Sequence, residues 1–181
     1  MGITLSPWMM AFLVLMTGFA GFVDSAAGGG GLISLPAYLF AGLPPHYTYA
    51  TNKFSAACGT TFATANFFKN GAMNLKVGIL AAIGSFAGSA LGAHIVLLLS
   101  DELLRTMAII AFTTLMGFDL RTANGNGKVL NLASNYASLF TYLMNGLVVF
   151  HIGIPCAVSN ILGNLLGSHF ALKKGARFIR P

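Results

Sequence analysis

From Pro7 to Leu172 the chain is a succession of apolar runs separated by short polar links: Pro7–Ala27, Leu32–Leu43, Thr51–Phe68, Val77–Leu99, Leu103–Gly117, Val129–Met144 and Ile152–Leu172. A helix needs roughly 20 apolar residues to cross the hydrocarbon core of a bilayer, and most of these runs approach that length. The second and fifth are short and read as half-helices or tilted pieces. A water-facing surface cannot be assembled from what remains. Only 8% of the residues are charged and 56% are hydrophobic, whereas a soluble domain carries roughly a quarter charged residues. The mean hydropathy of +0.77 agrees. A soluble enzyme, a coiled coil, a disordered tail and a secreted disulfide scaffold are thereby excluded. The pattern predicts an all-α, polytopic transmembrane helical bundle forming one domain over residues 1–181, with the lipid bilayer as its solvent.

The net charge of +6 would point to nucleic acid in a soluble chain; here no nucleic-acid partner is expected, and the charge orients the protein. Lys69, Lys76, Arg121, Lys128, Lys173, Lys174, Arg177 and Arg180 all fall on one side if every run crosses. Arg105 alone falls opposite, beside Asp101 and Glu102. The positive-inside rule then predicts a cytoplasmic C-terminus and an external N-terminus in the inner (plasma) membrane. Ser25-Ala26-Ala27 ends the first run in small residues, as a signal peptide would. No Lys or Arg precedes that run, so it reads as the first span. Cys58 and Cys156 sit within apolar stretches without a CxxC or a His cluster, and suggest neither a disulfide framework nor a zinc site.

The chain matches itself at an offset of 75 residues. Gly42 pairs with Gly117, Lys53 with Lys128, Asn70-Gly71 with Asn145-Gly146, Gly78 with Gly153, Gly88 and Gly92 with Gly163 and Gly167, and His94 with His169. Gly, Lys and His identities do not arise from shared apolar bias. The copies run over about 42–98 and 117–173, and corresponding segments lie three crossings apart. An odd number makes this an inverted repeat, a plan recurrent in secondary transporters that place the substrate between the copies.

Several residues within this frame are candidates for binding a substrate. Asp24 is acidic within an apolar run, where a carboxylate costs roughly 2.5–3.5 kcal/mol. It reads either as functional or as one half of a salt bridge to Lys53, and the two readings are compatible. Ser25 follows it, and then Gly28, Gly29, Gly30 and Gly31 break the helix, free backbone N–H groups and admit a ligand to the main chain. A helix restarting at Leu32 would aim its positive end at this break, which suits an anion. The lack of a following GK[ST] excludes a P-loop. Asn52, Lys53 and Ser55 open the third run; Asn126, Lys128, Asn131 and Ser134, with Asn135, open the sixth. Each copy thereby sets a lysine at a helix start among amides and hydroxyls, again favouring a small anionic substrate. Against this, a lone lysine at a helix end commonly snorkels to the headgroups. Gly84, Gly88 and Gly92, answered by Asn160, Gly163, Asn164 and Gly167, form small-residue stripes that read as helix-packing faces. His94 and His169 read as interfacial caps. There is no Ser-His-Asp set, HExxH or carboxylate pair, so no enzymatic activity is expected, and no cofactor-binding motif occurs.

The ordered residues Gly21-Phe22-Val23-Asp24-Ser25-Ala26-Ala27-Gly28-Gly29-Gly30-Gly31-Leu32-Ile33-Ser34-Leu35-Pro36, Gly42-Leu43-Pro44-Pro45 and Thr51-Asn52-Lys53 resemble the sulfite exporter TauE/SafE family. So do Gly127-Lys128-Val129-Leu130-Asn131-Leu132-Ala133-Ser134-Asn135 and Ala171-Leu172-Lys173-Lys174-Gly175-Ala176-Arg177. The resemblance implies a bacterial inner-membrane transporter of sulfur-containing anions such as sulfite or sulfonates, drawing on the proton-motive force. One departure stands out. Family members are usually longer and carry a second acidic, glycine-rich element before the second copy. The repeat offset would place it near Val96 to Arg105, where no such residues occur. A channel with one such break in place of two would need a homo-oligomer, and the alternative to a transporter is a non-transporting membrane subunit.

Overall fold

The computed structural model describes residues 3–72, 75–100 and 125–178. The expected segment Leu103–Gly117 and the charges Asp101, Glu102, Arg105, Arg121 and Arg180 lie outside them. The described residues form six helices: α1 (Pro7–Ala27), α2 (Gly31–Phe40), α3 (Pro45–Lys69), α4 (Leu75–Leu98), α5 (Gly125–Met144) and α6 (Phe150–Phe178). α1 and the stretch Phe150–Lys173 of α6 are long and apolar enough to span a bilayer on hydropathy alone. α3 and α5 are diluted by Asn, Thr and Ser, and among these Thr51, Asn52, Ser55, Thr60, Asn135 and Ser138 are buried.

That inversion defines the solvent. Thr17, Ser25, Thr48, Thr51, Ser55 and Ser168 are wholly buried, while Trp8, Leu15, Phe40, Leu98 and Met144 are each more than 70% exposed. A helical protein with hydroxyls inside and large apolar side chains outside belongs in lipid, where small and polar residues bind helices together. The chain is an all-α membrane protein.

Helix ends follow local chemistry. Ser6 caps α1 through its hydroxyl, with Pro7 in the first turn. α3 begins at Pro45, six positions before the expected Thr51, because proline supplies a preset φ and lacks only an N–H that has no helical partner there. Lys53 is consequently two turns inside the helix and does not open it. Lys128 does lie in the first turn of α5.

Two helix-turn-helix units share one geometry at the 75-residue offset. α3 ends at Lys69 and α5 at Met144; α4 begins at Leu75 and α6 at Phe150. Gly71 and Gly146 adopt φ of 66° and 64°. Ala72 donates to the Phe67 carbonyl and Leu147 to the Tyr142 carbonyl, closing the same left-handed C-terminal turn. Asn70 and Asn145 each reach back four residues to a carbonyl at 2.8 Å.

Packing fixes the directions. α6 meets α1 through Ser159 to Val14 and Asn160 to Thr17, and meets α3 through Asn66 to Ser168, while Val149 just before α6 donates to Thr51 Oγ1. Partners advance together in both pairs, so α1, α3 and α6 run parallel. α5 opposes α3, since Lys53 meets Asn135 while Thr64 meets Lys128. α2 folds back along α1, bringing Phe40 against Phe12 with ring centroids 5.6 Å apart. Leu13, Tyr38, Leu43, Ile152 and Cys156 fill one core cluster, and Ala50, Ala57, Ala93, Leu139 and Tyr142 another.

The two small-residue stripes behave differently. A Cβ at Gly163 would strike the Gly18 carbonyl and one at Gly167 the Phe22 carbonyl, so α1 and α6 touch backbone to backbone. A Cβ at Gly84, Gly88 or Gly92 on α4 would meet no described residue within 4 Å. The packing expected of the stripes therefore holds for α6, while the α4 stripe has no partner among the described residues.

Candidate functional site

Where α1 ends, Gly28 and Gly29 take φ of 83° and 82°, a region that side chains disfavour. This reversal leads into α2 at Gly31 and leaves Asp24 beside the break. Gly30 cannot carry a side chain, because a Cβ would strike the Ala20 carbonyl and press on Asp24. Its N–H instead donates to Asp24 Oδ1 at 3.3 Å. The break thus serves the protein's own carboxylate first, where free N–H groups were expected to await a ligand.

Asp24 pairs with Lys128, not with Lys53. Lys128 Nζ lies 2.8 Å from Asp24 Oδ2, with the two side chains 5% and 15% exposed, and also donates to the Asp24 carbonyl. Asn131, one turn further along α5, donates to both carboxylate oxygens at 3.1 and 3.3 Å. Depth explains the choice. Lys128 enters α5 at the level of the α1 C-terminus, whereas Lys53 points from the interior of α3.

Lys53 Nζ donates to Asn135 Oδ1 at 3.1 Å, a neutral acceptor. Asn135 in turn donates to Thr60 Oγ1 at 3.2 Å. Thr60 and Asn135 are separated by the repeat offset, as are Thr61 and Tyr136, whose hydroxyls lie 3.0 Å apart.

A cavity of about 330 Å³ opens between α1, α2, α3 and α5, with Asn160 of α6 at its edge. Of the candidate residues, Asp24, Gly30, Gly31, Asn52, Lys53 and Asn131 line it. The others are placed elsewhere. Ser25 is buried and donates to Asn164 Oδ1 at 2.7 Å; Ser55 meets the Tyr38 hydroxyl at 3.3 Å and donates to the Asn52 carbonyl. Ser134 meets Ser89 of α4 at 2.9 Å. Gly28 and Gly29 form the turn behind the cavity, Lys128 stands behind Asp24, and Asn126 lies in the first turn of α5. The cavity adds Ser34, Tyr49, Asn135 and Asn160, which were not singled out as binding residues. Helical spacing carried the signal for three of them: Ser34 is four residues from Gly30, Tyr49 four from Lys53, and Asn135 four from Asn131.

A cavity lined by Asp24, Lys53 and several amides, between helices with apolar outer faces and beside a broken helix, fits a membrane transporter. The sequence pattern described as "Sulfite exporter TauE/SafE" matches residues 13–113 and 105–181, and the chain belongs to that family. It is 29% identical over 227 residues to "Probable membrane transporter protein ORF9" of Sinorhizobium sp, covering 96% of this chain and 87% of the relative. "Probable membrane transporter protein YfcA" of Escherichia coli (strain K12) is 29% identical over 230 residues, 97% of this chain and 86% of its own. A "Probable membrane transporter protein" of Haemophilus influenzae is 29% identical, with 96% and 89% covered. These alignments are longer than the 181 residues present here, so the chain is shorter than its relatives. No solved structure matches the chain.

Proposed function

We propose that the cavity binds a small sulfur-containing anion of the sulfite or sulfonate class and that the protein carries it across the inner membrane. The charge arrangement supports this reading. Lys128 cancels Asp24 at 2.8 Å, while Lys53 faces the same cavity with an amide as its hydrogen-bond partner. The wall therefore keeps one positive charge, with the Asn52 amide on the same cavity, which suits oxygen-rich anions. The two helix-turn-helix units with a common 75-residue register and opposed α3 and α5 support the inverted-repeat reading, with Thr60, Thr61, Asn135 and Tyr136 beside the pseudo-two-fold axis. Uptake and efflux of radiolabelled sulfite, sulfate and a sulfonate by proteoliposomes is the test. Sulfite or sulfonate flux above empty liposomes is expected; flux equal to them would overturn the reading.

A second reading, a non-transporting membrane subunit, is favoured by one observation. Among the described residues the α4 stripe Gly84, Gly88 and Gly92 meets no partner, whereas the positions 75 residues later, Ser159, Gly163 and Gly167, seat α1. The same flux assay separates the two readings.

A further inference from the structure

We propose that Asn135 is a specificity-determining residue that keeps the cavity selective for anions, by holding Lys53 without neutralising it. The inference rests on the anion reading above and names the residue on which that charge preference depends.

The argument begins with the spacing of α5. Lys128, Asn131 and Asn135 lie at i, i+3 and i+7, on one helix face. The first two satisfy the carboxylate of Asp24. The third meets the other buried charge, Lys53, and there the residue type matters. An ammonium only donates, so Asn135 must turn its carbonyl oxygen toward it, and the amide NH2 is left to donate elsewhere. Thr60 Oγ1 accepts that bond at 3.2 Å. Asn135 and Thr60 are 3% and 1% exposed, so neither exchanges this partner for water. The chain Thr60–Asn135–Lys53 fixes the ammonium at the cavity wall while using one of its three N–H bonds. Two remain to meet the oxygens of a ligand.

An aspartate at 135 has nearly the same shape and would accept the same hydrogen bond. It would also cancel the charge of Lys53, leaving two internal ion pairs and no net attraction for an anion. The cavity's preference thus depends on an amide where a carboxylate would fit.

Equilibrium binding of radiolabelled sulfite to the purified full chain, with the thermal unfolding midpoint of each variant, tests this. Asn135→Asp should weaken binding at least about tenfold, as loss of a charge-assisted contact does. Asn135→Gln, which keeps a neutral acceptor, should remain within about threefold of the parent at a similar midpoint. Equal loss in both variants would assign Asn135 to packing and overturn the proposal, as would parental binding by Asn135→Asp. If Asn135→Asp does not fold, Asn135→Leu decides. It should weaken binding several-fold alone but add less than about twofold in a Lys53→Gln background, because it acts through Lys53; full additivity would overturn the proposal. A parent that binds neither sulfite nor a sulfonate defeats the anion reading itself, whereas a binding parent with indifferent variants defeats only the role of Asn135.

Discussion

Lys128 closes on Asp24 across 104 residues of sequence, nitrogen to oxygen at 2.8 Å, and with Asn131 it surrounds the carboxylate that stands beside the glycine break. This pair separates the roles of two lysines that occupy the same register of the 75-residue repeat. Lys128 is spent on holding α1 to α5, and Lys53 on the cavity.

Removing one partner of a buried pair leaves the other charge without compensation. Lys128→Met should destabilise the protein by about 3–5 kcal/mol. The double variant Asp24→Asn with Lys128→Met should recover most of that loss. Unfolding of the purified protein in mixed micelles reads both; a double variant no more stable than Lys128→Met would contradict the pairing.

Lys53→Gln should weaken anion binding by about 1.5–3 kcal/mol, one to two orders of magnitude in affinity, with a smaller effect on stability than Lys128→Met. Equilibrium binding of sulfite or a sulfonate checks it. Parental affinity in Lys53→Gln would place the anion site away from this lysine.

Much of this architecture was legible in the sequence, and the failures have identifiable causes. α1 was bounded correctly at Pro7 and Ala27 because an apolar run met a proline at one end and glycines at the other. The start of α3 is hidden from hydropathy because Pro45-His46-Tyr47-Thr48-Tyr49 is not an apolar run, although Pro45 at the first helical position is itself a start signal. Asp24 was recognised as out of place, but its partner was not. Two lysines equivalent in register are indistinguishable until the opposed directions of α3 and α5 set their depths. Ser25, Ser55 and Ser134 read in the sequence as ligand-binding hydroxyls, and in the fold all three join helices, as hydroxyls in a membrane interior do.

Glycines that look alike should respond differently. Gly163→Val places side-chain atoms against the Gly18 carbonyl and should separate α1 from α6, lowering stability by at least about 3 kcal/mol, as severe overpacking does. Gly88→Val meets no described residue within 4 Å and should change stability by less than about 1 kcal/mol. Comparable losses in a thermal melt of the two variants would show that the α4 face is covered.

Gly29, at φ 82°, belongs to the turn and not to the cavity wall. Gly29→Ala should therefore cost about 1–2 kcal/mol through backbone strain while leaving sulfite affinity within about threefold of the parent. A large loss of affinity at unchanged stability would instead bring the ligand to this part of the break.

Lys69 and Lys173 lie at the end of the bundle where parallel α3 and α6 terminate, and that end should face the cytoplasm. A C-terminal fusion fluorescent only in the cytoplasm should light up, and a fusion active only in the periplasm should stay silent. The reverse pattern would invert the orientation drawn from the positive residues.

The backbone contact of Gly163 and Gly167 with Gly18 and Phe22 joins α1 to α6, and this sets an order of events during synthesis. At roughly 5–20 residues per second, α1 leaves the ribosome many seconds before its docking face on α6 has been made. Until then its glycine face can be covered only by lipid, by the insertion machinery or by a wrong partner. The α1 face at Gly18 and Phe22 is completed only by α6, so a ribosome that stops before Gly163 releases a chain in which α1 can hold α2 but not its backbone-to-backbone partner.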